Sequence, residues 1–305
     1  MTDEVTILDG GMGQELIHRS PDRPTPLWGT RVMVDYPNLV REIHDAYFAA
    51  GAKVATTNTY ALLRDRTDKT DLRDRFADLH EIACRIAVES RDAHGSGIVA
   101  GAMGPLVASY LADAGPPREE AAAAYREIAR IQAPLVDVFL AETVPSRARA
   151  RATLDGLEGE GKPVWLAVTV GEEDGRVLRS GEPVTDILDD IAGRDVAALL
   201  VNCSSPEAVT QAVAELSGAP VRFGAYANGF RPIPEAFKKP GATVDILSQR
   251  EDLTPEVYAD FAEEWVRLGA TIVGGCCEVG PAHIAELSHR LNAKDTSVDR
   301  AATRA

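Results

Sequence analysis

Three of the four cysteines in this chain stand where two short apolar runs end. Cys203 follows Val196–Val201 within Asn202-Cys203-Ser204, and Cys276 and Cys277 follow Ala270–Val273 within Gly274-Gly275-Cys276-Cys277. Each run reads as a buried strand. Thiols at two separate strand ends meet only if the fold brings those ends together. A soft metal placed there would find three sulfur ligands and one open position, the pattern of a catalytic zinc rather than a closed structural one. A substrate thiol would fill the fourth place. Successive side chains of a regular strand face opposite ways, so Cys276 and Cys277 reach one point only if the chain kinks. Gly274 and Gly275 just upstream permit unusual backbone angles. Two plainer readings stand beside this one: small buried hydrophobes, and a vicinal disulfide. Cys84, within the helical stretch 76–94, reads as core.

Composition limits the alternatives. The chain has 305 residues, 45% hydrophobic and 26% charged, a length that suits one large barrel or two small domains. Its formal charge of −15, spread along the sequence, argues against nucleic acid, whose phosphates call for a basic surface. No run of 18 apolar residues is present, so no membrane span is expected, and the acidic start Thr2-Asp3-Glu4 carries no secretory signal. Four cysteines do not make a disulfide scaffold at this length, which fits reduced thiols and a cytoplasmic location.

The elements that must position these thiols are legible as alternation. Eight strand-like runs, Thr6–Leu8, Val54–Thr57, Ile98–Ala102, Val136–Ala141, Val164–Val170, Ala197–Val201, Val221–Tyr226 and Thr271–Val273, are separated by amphipathic stretches. Six of these stretches read as helices: 38–50, 72–94, 118–133, 146–157, 207–216 and 255–268. Gly51, Gly95, Gly159, Gly218 and Gly269 stand at expected helix stops. The order predicts an α/β fold, a single-domain (β/α)8 TIM barrel over residues 1–292, with an open doubly wound sheet as the alternative. Polar and glycine-rich motifs follow the strands: Asp9-Gly10-Gly11, Thr57-Asn58-Thr59, Gly104-Pro105, Glu142-Thr143, Asn202-Cys203 and Cys276-Cys277. A barrel gathers all strand C-termini on one rim, which favours it. The 22 residues of Gly229–Arg250 read as a functional loop or lid, and 293–305 as a frayed polar tail.

Taken in order, these rim motifs resemble the homocysteine S-methyltransferase family of zinc-dependent barrels over roughly residues 5–290. The resemblance implies that Cys203, Cys276 and Cys277 hold Zn2+ and that homocysteine sulfur completes the tetrahedron. It implies that Glu142 holds the amino group of homocysteine, and that Asp9 and Gly10 lie close to substrate at the barrel mouth, with Asp9 near the cysteine pair because strands 1 and 8 are neighbours. Asp9 otherwise reads as a cap or brace, and Glu142 as a rim ion pair. Asn202 and Thr57 are candidates for substrate contact, with loop ordering as the other role for each. His283 reads as structural, and His18 and His44 carry no site-like spacing.

The donor is read from finer detail. Glu142-Thr143-Val144-Pro145 and the segment Gly104-Pro105 through Ala108–Asp113 resemble the S-methylmethionine branch, whereas the betaine branch carries an aromatic residue where Thr143 stands. Val107, Ser109 and Glu278-Val279-Gly280 depart from the family pattern. The chain ends where the barrel is expected to end, so no cobalamin or folate module is expected. The resemblance thus implies a methyltransferase that moves a methyl group from a sulfonium donor, S-methylmethionine or S-adenosylmethionine, to homocysteine, giving methionine. Alternatives keep the zinc-thiolate chemistry with betaine or a methylsulfonio-propionate as donor or another thiol or selenol as acceptor, or make the chain a zinc-binding barrel without turnover.

Overall fold

In the computed structural model, Val138 and Leu140 point into a central apolar cluster with Leu8, Val54, Ala100, Trp165, Ala167, Ala198, Leu200 and Ile272, while Phe139 and Ala141 face the surrounding helices. This two-residue alternation divides the core into a barrel interior and an outer layer, so both faces of the sheet are buried. The structure describes residues 4–302 apart from 23, 24, 26, 28, 113, 235, 236 and 238–245, with side chains to residue 292. Asp113 and much of the Gly229–Arg250 loop therefore lie outside the described residues.

Eight strands form the sheet: β1 Thr6–Ile7, β2 Val54–Thr56, β3 Ile98–Met103, β4 Val138–Val144, β5 Val164–Val168, β6 Val196–Asn202, β7 Arg222–Tyr226 and β8 Ile272–Val273. All paired strands are parallel, in the order β1-β8-β7-β6-β5-β4-β3-β2. The ends of that series also meet, for the Lys53 amide donates to the Ile7 carbonyl at 2.7 Å. The expected (β/α)8 barrel is therefore the fold. Around it lie α1 Met12–Arg19, α2 Gly29–Asp35, α3 Pro37–Ala49, α4 Arg64–Thr67, α5 Phe76–His94, α6 Arg118–Gln132, α7 Arg147–Leu157, α8 Ile187–Ile191, α9 Pro206–Glu215, α10 Pro255–Arg267 and α11 Pro281–Ala302. Helices α7, α9 and α10 begin on Ser146, Ser205 and Thr254, whose hydroxyls accept from amides in the first turn. The five glycines expected at helix stops all have positive φ. Among the described residues no helix is long and apolar enough to cross a membrane.

Two details differ from the sequence reading. Strand β4 runs three residues past Ala141, so Glu142 and Thr143 lie within the strand, and Glu142 continues the inward series of Val138 and Leu140. Helix α11 continues to Ala302, so the backbone is helical through 293–302, where a frayed tail was expected.

Candidate active site

Strand β7 lies between β6 and β8, and its end gathers the cysteines. The Cys203 amide donates to the Tyr226 carbonyl (3.3 Å), the Cys276 amide to the Ala227 carbonyl (2.9 Å), and the Gly229 amide to the Cys277 carbonyl (2.8 Å). The sulfurs of Cys203, Cys276 and Cys277 all lie within 4.8 Å of one another as free thiols. Cys203 does not follow the strand alternation that would turn it outward beside Val201. Its φ of +52° reverses the chain just after β6 and turns its sulfur toward the cavity. Such an angle at a non-glycine residue costs about 1 kcal/mol or more and persists only where surroundings hold it.

The kink at the cysteine pair has a different origin from the one expected. Gly274 and Gly275 do not take left-handed angles; that angle belongs to Glu278 (φ +62°). What the glycine positions supply is room. A Cβ on Gly275 would stand 2.1 Å from Val279 Cγ1, and one on Gly10 would stand 2.0 Å from the Val279 carbonyl oxygen. The Asp-Gly-Gly turn after β1 thus packs directly on the cysteine turn after β8, joined by the Gly275 amide to the Asp9 carbonyl (3.0 Å) and the Gly11 amide to the Val279 carbonyl (3.0 Å).

An open cleft of about 920 Å³ occupies the C-terminal mouth of the barrel. Asp9, Gly10, Thr57, Glu142, Cys203, Cys276 and Cys277 all line it. Asn202 does not. It is fully buried, its Oδ1 accepts from the Thr143 amide (2.9 Å), and its Nδ2 donates to the Thr143 hydroxyl (3.1 Å). Asn202 therefore holds Thr143 at φ +58°, beside Glu142, and orders the rim instead of reaching the cleft. Thr57 lines the cleft, but its hydroxyl is engaged with the Ala102 amide (2.9 Å) and the Thr59 hydroxyl (2.8 Å). His283 bonds to the Leu253 carbonyl (3.1 Å), a structural position. Cys84 is buried within α5, and burial pushes its thiol up to about 12.

Both candidate carboxyls are buried. Asp9 accepts from the Thr56 amide through one oxygen and from the Thr56 hydroxyl through the other, each at 2.6 Å, and so fastens β1 to β2 where their backbones no longer pair. Burial raises its pKa to about 7, against the lowering effect of Thr56. Glu142 accepts from the Tyr226 hydroxyl at 3.2 Å. Burial, then the charges of Cys203 and Asp9, raise it to about 8. A carboxyl so desolvated returns to its ionised form when a cation pairs with it, so Glu142 is poised for an ammonium group. Hydrogen bonds from Cys276 and Cys277 hold the Cys203 thiol well below its usual range.

The trio fits one metal ion. Tetrahedral metal–sulfur bonds of about 2.3 Å separate two sulfurs by about 3.8 Å, compatible with the observed spacing, and the fourth position opens on the cleft. Tyr110, Tyr226 and Phe237 also line the cleft and were not among the sequence candidates for the site. Tyr110 (φ +68°) brings its hydroxyl to 3.0 Å from Cys203 Sγ, and Phe237 packs beside it. Tyr226 was within reach, because it closes a strand on the cysteine-bearing rim. Glu278, outside the cleft, is bound by Gln14 and by His18 (3.1 Å).

The chain matches the family model described as homocysteine S-methyltransferase over residues 6–291. A homocysteine S-methyltransferase of Escherichia coli is 29% identical over 308 residues, covering 94% of this chain and 95% of that one. A selenocysteine methyltransferase of Astragalus bisulcatus is 26% identical, covering 90% and 89%. The crystal structure of the metallated homocysteine methyltransferase MmuM from Escherichia coli superposes with a TM-score of 0.78 at 26% identity, over 94% of this chain and 96% of that one. With the match running from β1 to the last helix and through both cysteine-bearing strand ends, the chain belongs to the homocysteine S-methyltransferase family.

Proposed function

We propose that this protein transfers a methyl group from a methylsulfonium donor, S-methylmethionine or S-adenosylmethionine, to the thiolate of homocysteine, giving methionine, with Zn2+ held by Cys203, Cys276 and Cys277. The observation that carries the reading is the convergence of three free thiols on one open cleft, beside a buried carboxyl that meets no cationic side chain among the described lining residues. Zinc, when bound, supplies a Lewis acid that keeps a coordinated thiol deprotonated and therefore nucleophilic at neutral pH. The chain's own residues supply the rest. Glu142 receives the homocysteine ammonium, and the Tyr226 hydroxyl aims its carboxylate. Asp9 and Gly10 line the same mouth, and Asp9 keeps β1 and β2 together beneath it. The cleft would hold the substrate thiolate in line with the donor's methyl carbon.

The donor's chemistry needs no general acid. A sulfonium loses its positive charge on methyl transfer and leaves as a neutral thioether, so no proton need be delivered to it. Betaine would leave as an amine, a poorer leaving group, and the aromatic residue that the betaine branch carries after the glutamate is Thr143 here. Initial rates with zinc-loaded protein, homocysteine and S-methylmethionine, S-adenosylmethionine, a methylsulfonio-propionate or betaine test the assignment. A sulfonium is expected to give the highest kcat/KM, and the highest value with betaine would overturn it. A selenol acceptor belongs in the same panel, since one relative is named a selenocysteine methyltransferase.

A further inference from the structure

A methyl electrophile in this cleft faces more than one sulfur. The substrate thiolate is the intended nucleophile, but Cys203, Cys276 and Cys277 line the same space. Attack by Cys203 would form an S–CH3 bond with the thiolate's electron pair. The donor's S–CH3 bond would break, its pair leaving with the neutral thioether. The product, S-methylcysteine, is uncharged and a poor metal ligand, so each such event would end the life of one site. A protein that works this way must make its own thiolates worse nucleophiles than the one it activates.

We propose that the Tyr110 hydroxyl donates a hydrogen bond to Cys203 Sγ that suppresses methylation of this cysteine and reserves the methyl group for the substrate. The two atoms are 3.0 Å apart and both residues line the cleft. When the sulfur is a metal-bound thiolate it has no proton to give, so the phenol is the donor. A hydrogen bond to a thiolate withdraws electron density from the attacking lone pair, and thiolate nucleophilicity falls as basicity falls.

The phenol is held for this contact. Its backbone takes φ +68°, an angle a bulky residue keeps only when its surroundings hold it there. The Arg179 guanidinium lies over the ring face, 4.6 Å from its centroid, and a cation there makes the hydroxyl a stronger donor. Arg179 is itself anchored by Glu172 (2.7 Å) and the Thr169 hydroxyl (3.0 Å), and its Nη2 reaches the Cys203 carbonyl (3.4 Å). Phe237 packs on the other part of the ring, with centroids 6.2 Å apart. Tyr110 is thus a positioning and protecting residue acting through Cys203.

The proposal rests on the methyl-transfer reading above, and its test is independent of turnover. Zinc-loaded wild type and Tyr110→Phe, without homocysteine or sulfonium, are treated with iodomethane, and the methylation rate of each cysteine is followed by peptide mass spectrometry alongside bound zinc. The expected result is a rise of about tenfold in the Cys203 rate in Tyr110→Phe, the equivalent of losing part of one charged hydrogen bond. Cys276 and Cys277 should change less than about twofold on the same scale, and zinc should be lost in step with Cys203 methylation. An unchanged Cys203 rate would overturn the proposal. So would an equal rise at all three cysteines, which would mean that the substitution merely opens the cleft. A chain that fails in the donor panel still reports here, because the probe is a generic electrophile.

Discussion

Replacing Glu142 by glutamine removes a carboxyl whose ionisation the folded chain disfavours. In the folded protein the carboxyl titrates near 8, against 4.5 for an ordinary glutamate, because burial and then Cys203 and Asp9 disfavour its ionised form. The folded state therefore keeps a proton that the unfolded chain releases. The associated stability is complete below about pH 4.5 and is lost as pH rises through 8. From 4.5 to pH 7 is about 2.5 units, each worth ~1.36 kcal/mol, so the ceiling is about 3 kcal/mol. At pH 5 the same arithmetic leaves less than about 1 kcal/mol. Glutamine keeps the size and still accepts from the Tyr226 hydroxyl. The metal-free variant should thus gain about 2 kcal/mol more over wild type at pH 7 than at pH 5. Urea unfolding of both proteins at the two pH values measures this. A difference between variant and wild type that does not change with pH would refute the argument. The same substitution should weaken homocysteine binding by about 1.5–3 kcal/mol with zinc content unchanged, since the ammonium loses its charged partner. A stabler but poorer enzyme is the expected signature.

Three further outcomes follow from local geometry. Alanine at Cys203, Cys276 or Cys277 should each abolish zinc binding, whereas Cys84→Ala should retain it; metal analysis of the four variants distinguishes them. Val107 holds φ +75° with half its surface exposed, so Val107→Gly should raise stability by about 1 kcal/mol, and a lowered thermal midpoint would show that its side chain contributes packing that outweighs the strain. Asp9→Ala leaves the Thr56 amide and hydroxyl without their acceptor and should cost about 1–3 kcal/mol, read from urea midpoints; an unchanged midpoint would mean that water replaces the carboxylate.

The barrel was legible because the βα period fixes it: apolar runs, helical stretches and glycine stops recur in order, and a closed parallel sheet sends every strand end to one rim. That rim made Asp9, Glu142 and the cysteines readable together, since each lies at or near the C-terminal end of a strand. What escaped was set by tertiary contact. Asn202 shares the rim, yet its amide is taken up by Thr143, 59 residues earlier in the chain, and no local pattern carries that pairing. Gly274 and Gly275 suggested unusual angles, but their lack of a side chain is used for close packing on Leu8 and Val279. Tyr110 and Phe237 sit on loops whose course depends on Cys203, Arg179 and each other, so they left no periodic trace. The helical backbone through 293–302 ran against a polar composition that contains Ala293, Lys294 and Asp295 but no glycine or proline to end α11.

The claim at the centre of the account is that three cysteine sulfurs hold zinc and homocysteine supplies the fourth. Zinc-edge X-ray absorption, recorded before and after addition of homocysteine, reads it directly. The account predicts three sulfurs and one lighter atom without the substrate, and four sulfurs at about 2.3 Å with it. A coordination shell that homocysteine leaves unchanged would contradict it.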